Sequence, residues 1–582
     1  MPSIARRAPS SWVAAISLAA ALLVSAAPSP ALAQDKWLEL SIPDGLSDQS
    51  GGGLAFFGEG AISTRELLEM IDRAKDDKQV KAIILKAPGG GLGFAKTQEL
   101  RDALAKFRAS GKKIYVYLEA ADNGIYYLAS AANEIVVNPV GMVFLNGLSS
   151  ETMFLRGVFD KLGIVPNYEQ CYEYKSAADM YVRKDMSEAH KEVTNSILDD
   201  IYGQWTEAIA SSRKLPVEKV KAIVDACDPL PESAKRDGLV DQLLYADEFE
   251  AYLEKENGGK KLEKVKTKDY RTKKGGLFNL SFDFGDKPKI AIVYGQGAIT
   301  SGKSANDFLS GQSMGSDTIA AAIKEAREDK SVKAIVFRVD SPGGSALASD
   351  VIWRETVLAK KEKPFIVSMS NVAGSGGYYI AMAADKIVAE PGTITGSIGV
   401  LGGKLNLKGL YQWAGLNKVV TSRGKNAAIF SDWSDWSDSE RGLFKGFIEH
   451  TYKTFVGKVA QGRKRTPEEI HKIAKGRIWT GRQGKEIGLV DELGGLDKAI
   501  ALAKEAAGIP EKTEPALVEF PKQKDLFEMI EEMIEAKAFS QAFSAEGLLT
   551  GEAREVLGTL RLMEKLSDEK VLCLMPELIE IK

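Results

Sequence analysis

Ser375 stands in the stretch "NVAGSGGYY" (371–379), among Gly374, Gly376 and Gly377. A hydroxyl on such a turn can be an acyl-transfer nucleophile, given an oxyanion hole and a base to take its proton. A second glycine loop, "DSPGGS" (340–345), also ends a strand-like run and opens a helix-like one. Helix N-termini offer unpaired N–H groups and a positive dipole end. Glycine lets backbone come close to a reacting atom. The pattern points to Gly344, with Gly343 beside it, and to Gly376 as oxyanion donors. Taken alone, a serine between glycines reads as an ordinary glycine turn with a capping serine.

Three histidines could supply the base: His190, His450 and His471. They fall in polar helical stretches, "MSEAHKEV", "FIEHTYKT" and "PEEIHKIAKG", which read as surface or packing positions. A Ser–His–Asp triad is poorly supported. The remaining option is a lysine whose ammonium is destabilised by burial, leaving a neutral amine near pH 7.

The chain is a duplicated unit. "AKDDKQVKAI" at 74 recurs as "AREDKSVKAI" at 326, and "GIYYLASAANEIVVNP" at 124 as "GGYYIAMAADKIVAEP" at 376. "DGLVDQL" at 237 recurs as "IGLVDEL" at 487. This register sets Asn123 opposite Ser375. An amide is no serine-type nucleophile, so the first half keeps the fold and lacks this chemistry. That asymmetry argues against a plain turn at Ser375.

Positioning elements alternate in type. In the second half, 289–295, 332–339, 364–370 and 386–390 read as strands. Between them 316–330, with Ser316 or Asp317 as N-cap, 346–361 and 376–385 read as helices. Strand–helix alternation implies an α/β fold with mostly parallel sheets and βαβ crossovers, which binds ligands at the carboxyl ends of strands. The expected order is an export segment (1–33), a first repeat domain (36–256), a linker (257–288), a second repeat domain (289–515) and a helical extension (516–582). The amphipathic spacing at 525–539 carries that last expectation.

Arg6 and Arg7 precede an apolar run at 12–27, and "SPALAQ" follows, ending an A-x-A-like site at Ala33. The run is shorter than the ~20 residues that span a bilayer. A cleaved export signal is expected, with a retained membrane anchor as its rival; either sets the body outside the cytoplasm. A net charge of −3 gives no electrostatic reason to expect nucleic acid. Cys171, Cys227 and Cys573 make no metal spacing and no disulfide framework. No metal or organic cofactor is implied. "SDWSDWSD" (431–438) reads as a polar loop with exposed Trp433 and Trp436, or as a substrate-rim or membrane-facing element.

"DSPGGS" together with "GSGGYYIAMAADKIVAEPGTITGSIGV" resembles the signal peptide peptidase A family, over roughly 36–515, in its long, doubled form. The resemblance implies tandem Clp-protease/crotonase-like domains and a Ser/Lys dyad. It sets Ser375 as nucleophile and, through "YEYKSAADMYVRKDMS" (172–187), Lys175 as general base. Ser397 in "TGSIG" matches a serine that orients the lysine. The family's short form takes its base from a position like Lys425, which is the alternative here. The resemblance further implies an endopeptidase of apolar peptides such as cleaved signal peptides, a homotetramer, and a periplasmic site at the membrane. A crotonase-like acyl-CoA hydrolase or isomerase shares the oxyanion logic, and a non-catalytic scaffold is the third alternative.

Overall fold

The computed structural model describes residues 35–49, 62–87, 91–272, 287–307, 311–522, 569 and 571–575. The expected export segment and the amphipathic stretch at 525–539 lie outside the described residues.

The first half builds a six-stranded, all-parallel sheet with Lys113–Ala121 and Val80–Lys86 at its centre and Lys36–Ser41 next in order. The second builds an eight-stranded sheet around Val332–Ser341, parallel along most of its path. Only Ile394–Gly396 and Ile478–Thr480 run antiparallel there. Continuous apolar runs such as "AIVF" (334–337) suit strands covered on both faces. Val336, Phe337 and Val339 are accordingly buried. The duplication extends to single bonds. Tyr126 Oη donates to Leu239 O at 2.8 Å, and Tyr378 Oη to Leu489 O at 3.0 Å. The Arg213–Asp241 pair (2.6 Å) recurs as Arg463–Asp491 (2.7 Å).

A third, mixed sheet joins the halves. Val165–Gln170 of the first half pairs antiparallel with Leu401–Asn406 of the second. Elsewhere across this boundary the fully buried Arg338 meets Glu99 at 2.7 Å and Asp48 at 3.2 Å, and donates to Ser368 and Ser370. Burial alone would raise the Asp48 carboxyl, but Arg338 and Lys96 hold it below its ordinary range. Removing one partner of such a buried network leaves an uncompensated charge.

Several boundaries differ from the sequence reading. Within 257–288, Glu263–Lys266 pairs with the Lys36 strand and a helix, Thr267–Thr272, follows. Past 515, Ala516–Phe520 pairs with Lys289–Gln296 in the corresponding place. Each sheet therefore takes one more edge strand than periodicity suggested. The helix Ser316–Glu328 has Gly315 as its N-cap; Ser316 Oγ instead accepts from Gly302 N–H. The helix at Gly376 ends at Ala381, because Asp385 N–H is already tied to Phe365 O at 2.9 Å to start the next strand. Trp436 is buried, not exposed: its Nε1–H donates to Ile429 O at 2.7 Å and its ring packs on Phe444. Trp433 is half-buried, stacked on Tyr411.

Candidate active site

Ser375 caps the strand Phe365–Gly374 and immediately precedes the helix Gly376–Ala381. Its backbone is left-handed (φ 54°, ψ −113°), an uncommon conformation for a residue with a Cβ. Such strain persists where surroundings over-determine it, and it clusters at functional turns. Here Ser375 N–H donates to Gly396 O at 2.8 Å and Tyr379 N–H donates to Ser375 O at 2.8 Å. The other glycine loop lies against this turn. A Cβ on Gly343, whose φ is +97°, would sit 2.6 Å from Gly376 N. The structure thus brings together Gly343, Gly344, Ser375 and Gly376, the residues singled out for nucleophile and oxyanion hole.

Lys175 reaches this turn from the first half. After the strand Val165–Gln170, Cys171 N–H donates to Val400 O (2.8 Å) and Tyr174 N–H to Lys475 O (3.2 Å). These bonds hold the first-half chain against the second. The Lys175 Nζ lies 2.7 Å from Ser375 Oγ, 2.9 Å from Ser397 Oγ and 3.0 Å from Ser397 O. All three partners are neutral. Lys175 is completely buried, and burial pushes its ammonium from the ordinary 10.5 down to about 7. Ser397 is fixed by its own left-handed backbone (φ 50°) and by donating its N–H to Arg477 O at 2.7 Å.

Lys425 lies in the exposed segment between Lys408–Trp413 and Asp438–Arg463, outside this buried cluster. Neither His450 nor His471 is among the partners of Ser375: His450 is exposed, and His471 Nδ1 pairs with Tyr452 Oη at 2.8 Å. His190 is buried 3.8 Å from Asp179. Asn123 is buried in the matching turn of the first half, with Nδ2 donating to Asn146 Oδ1 (2.7 Å) and Gly147 O (2.9 Å). The amide thus links neighbouring backbone and side chain, where in the second half Ser375 meets Lys175. Among the described residues, no group of His, Cys, Asp or Glu side chains is placed to hold a metal ion.

Sequence reasoning passed over Gly399 and Gly476. A Cβ on Gly476 would lie 2.5 Å from Lys175 N, and one on Gly399 would lie 3.0 Å from Lys175 Cδ. Their spacing from Lys175 gives no sign of this, since the contacts cross between the halves.

The sequence model of peptidase family S49 matches the chain twice, at 106–260 and 358–510. The serine protease SPPA of Arabidopsis thaliana chloroplasts is 35% identical over 510 residues, covering 87% of this chain and 72% of its own. The chain belongs to peptidase family S49. Protease 4 of Salmonella typhi is 34% identical, covering 76% of this chain and 72% of its own. Protease 4 of Haemophilus influenzae is 32% identical, covering 76% and 73%. Among solved structures, a ClpP1 mutant from Listeria monocytogenes covers 35% of this chain and 92% of its own at 15% identity. Its TM-score of 0.23 is too low to bear on the argument. The S49 chain is a serine-type peptidase with two S49 domains of α/β architecture.

Proposed function

We propose that this S49 chain is an endopeptidase using a Ser375/Lys175 dyad, the base coming from the first domain and the nucleophile from the second. The approach of Lys175 Nζ to Ser375 Oγ, 2.7 Å in a fully buried cluster, carries the reading. A neutral amine has two N–H donors and one lone pair. Ser397 O and Ser397 Oγ can accept both donors, which leaves the lone pair for the Ser375 proton. Ser397 is thus a positioning residue.

As the proton moves to Nζ, Oγ bonds to the peptide carbonyl carbon and the carbonyl electron pair moves onto oxygen. The N–H groups of Gly344 and Gly376 stabilise that oxyanion. The Lys175 ammonium then protonates the leaving nitrogen, the C–N bond breaks, and an acyl-enzyme remains. Water attacks the ester with its proton passing to Lys175, and Ser375 is regenerated when that proton returns to Oγ.

Apolar peptides such as released signal peptides are the proposed substrates, met at the periplasmic side of the cytoplasmic membrane. The export-type N-terminal pattern and the likeness to SPPA-type relatives support this. Among the described residues no helix is long and apolar enough to cross a membrane. A homotetramer is proposed on the same likeness. Trp413 (78% exposed) and Val419 (90% exposed) lie close in sequence on a surface that a second copy would cover. A fluorophosphonate probe tests the chemistry: Ser375 should be labelled in the wild type, and labelling no better than in Ser375→Ala would refute the dyad.

A further inference from the structure

A cavity of about 270 Å³ lies on the boundary between the halves, and neither Ser375, Lys175 nor Ser397 lines it. Much of its lining comes from two helices of the first half, Phe94–Ala109 and Glu188–Arg213. Glu390 and Pro391 of the second half face them. Bonds that cross between the halves hold this second-half wall in place. Gly392 N–H donates to Gln98 Oε1 at 2.7 Å, and Gln204 Nε2–H donates to Pro391 O at 3.1 Å. Gln98 Nε2–H in turn donates to Gln204 Oε1 at 2.9 Å. The cavity therefore keeps its shape only while the halves stay closed on each other.

Two buried ionisable side chains line it, and neither forms an ion pair among the described residues. Glu390 is 2% exposed, and its Oε1 has no hydrogen-bond partner among them. Burial, with the carboxyls of Glu99 and Asp102 nearby, pushes the Glu390 carboxyl well above the ordinary 4.5, and Arg338 and Lys106 offset only part of that. The acid keeps its proton until a cation arrives. Arg101 is 8% exposed and lies over the Tyr127 ring, 4.2 Å from its centroid. Its N–H groups donate to Tyr127 O, to Ser130 Oγ at 2.6 Å and to Ser212 Oγ at 3.1 Å, all of them neutral. A guanidinium has five N–H groups, so two remain for an anion. Burying a charge without a counter-ion is costly, and a ligand that supplies one recovers that cost. Ala105, Ala131 and Ala208 add apolar lining.

We propose that this cavity binds a small zwitterion, a free apolar α-amino acid or dipeptide, with its ammonium on Glu390 and its carboxylate on Arg101. On binding, Glu390 gives its proton to solvent and the ligand's ammonium takes its place, so both buried groups gain counter-ions. A ligand held by both halves stabilises their closed arrangement, on which the approach of Lys175 to Ser375 also depends. Amino acids and dipeptides are the end products of peptide hydrolysis, so the site would respond to the output of the chemistry next to it.

Isothermal titration of the full chain with L-leucine tests this. We expect a Kd of ~0.1–1 mM, as for a ligand of this size. N-acetyl-L-leucine, which lacks the ammonium, and L-leucinamide, which lacks the carboxylate, should each bind at least ~10-fold more weakly. Glu390→Gln keeps the shape of the protonated acid and should fold, yet bind L-leucine at least ~10-fold more weakly. Ala208→Leu fills the cavity without altering either ionisable group and should lose binding as fully. Prior labelling of Ser375 with a fluorophosphonate should leave the Kd within ~2-fold. No binding by the wild type, an unchanged Kd in either folded variant, equal binding of either analogue, or loss of binding on labelling would overturn the proposal and leave the peptidase reading standing. If Glu390→Gln does not fold, Ala208→Leu decides alone. If Ser375 never labels while L-leucine binds as expected, the dyad falls and this site stands.

Discussion

Lys175 and Ser375 are separated by 200 residues and meet at 2.7 Å, one supplied by each half of a duplicated chain. The meeting depends on Val165–Gln170, which leaves its own half to pair with Leu401–Asn406. The half that holds Asn123 in place of a nucleophile thus still contributes the group nearest to the surviving one.

Burial of Lys175 among neutral partners sets a pH dependence. Its ammonium lies at about 7, so below that value the lone pair is occupied and proton abstraction fails. We expect kcat/KM to fall ~10-fold per pH unit on the acid side and to level off above the midpoint. A pH–rate profile flat from pH 5 to 9 would contradict this.

The same burial costs stability, with a definite sign. The folded state binds this proton more weakly than the unfolded state, whose lysine titrates near the ordinary 10.5. The cost is therefore full below about 7 and fades as pH rises towards 10.5. Lys175→Met should be inactive yet more stable by ~2–5 kcal/mol at pH 6, the gap closing towards pH 10. Denaturant melts at the two pH values measure it.

Ser397→Ala removes the hydroxyl at 2.9 Å from Nζ but keeps the backbone carbonyl at 3.0 Å. The lysine loses one of two orienting bonds. We expect kcat to drop ~10–100-fold with KM and Tm nearly unchanged, because misorientation of a base acts on the chemical step.

Gly399→Ala tests the packing behind the base. The added Cβ would come within 3.0 Å of Lys175 Cδ and 2.8 Å of Gly476 Cα. Backbone on one side cannot yield cheaply, so the lysine must shift. Steady-state kinetics should show at least a ~10-fold loss in kcat with a lowered Tm.

Much of this was legible in the residues. Strands alternating with helices, such as 332–339 followed by 346–361, announced a parallel sheet, and the repeated "YY" turns exposed the contrast between Asn123 and Ser375. The base was not legible from periodicity or composition. Lys175 is one lysine among many, and only resemblance singled it out before the crossing strand gave it a physical reason. Trp436 was misread because a polar repeat hides one side chain that turns inward to reach Ile429 O. The strand Leu572–Leu574 could not be foreseen at the site, since pairing with Gly343–Ser345 spans more than 200 residues and leaves no local signal.

The central claim is that Lys175, and not Lys425, takes the proton of Ser375. The most direct measurement is the rate of fluorophosphonate labelling at Ser375, read by peptide mass spectrometry, in wild type, Lys175→Ala and Lys425→Ala. The account predicts a loss of ~10³-fold or more for Lys175→Ala and a change within ~2-fold for Lys425→Ala, as for an exposed side chain. Wild-type labelling in Lys175→Ala, or its collapse in Lys425→Ala, would contradict it.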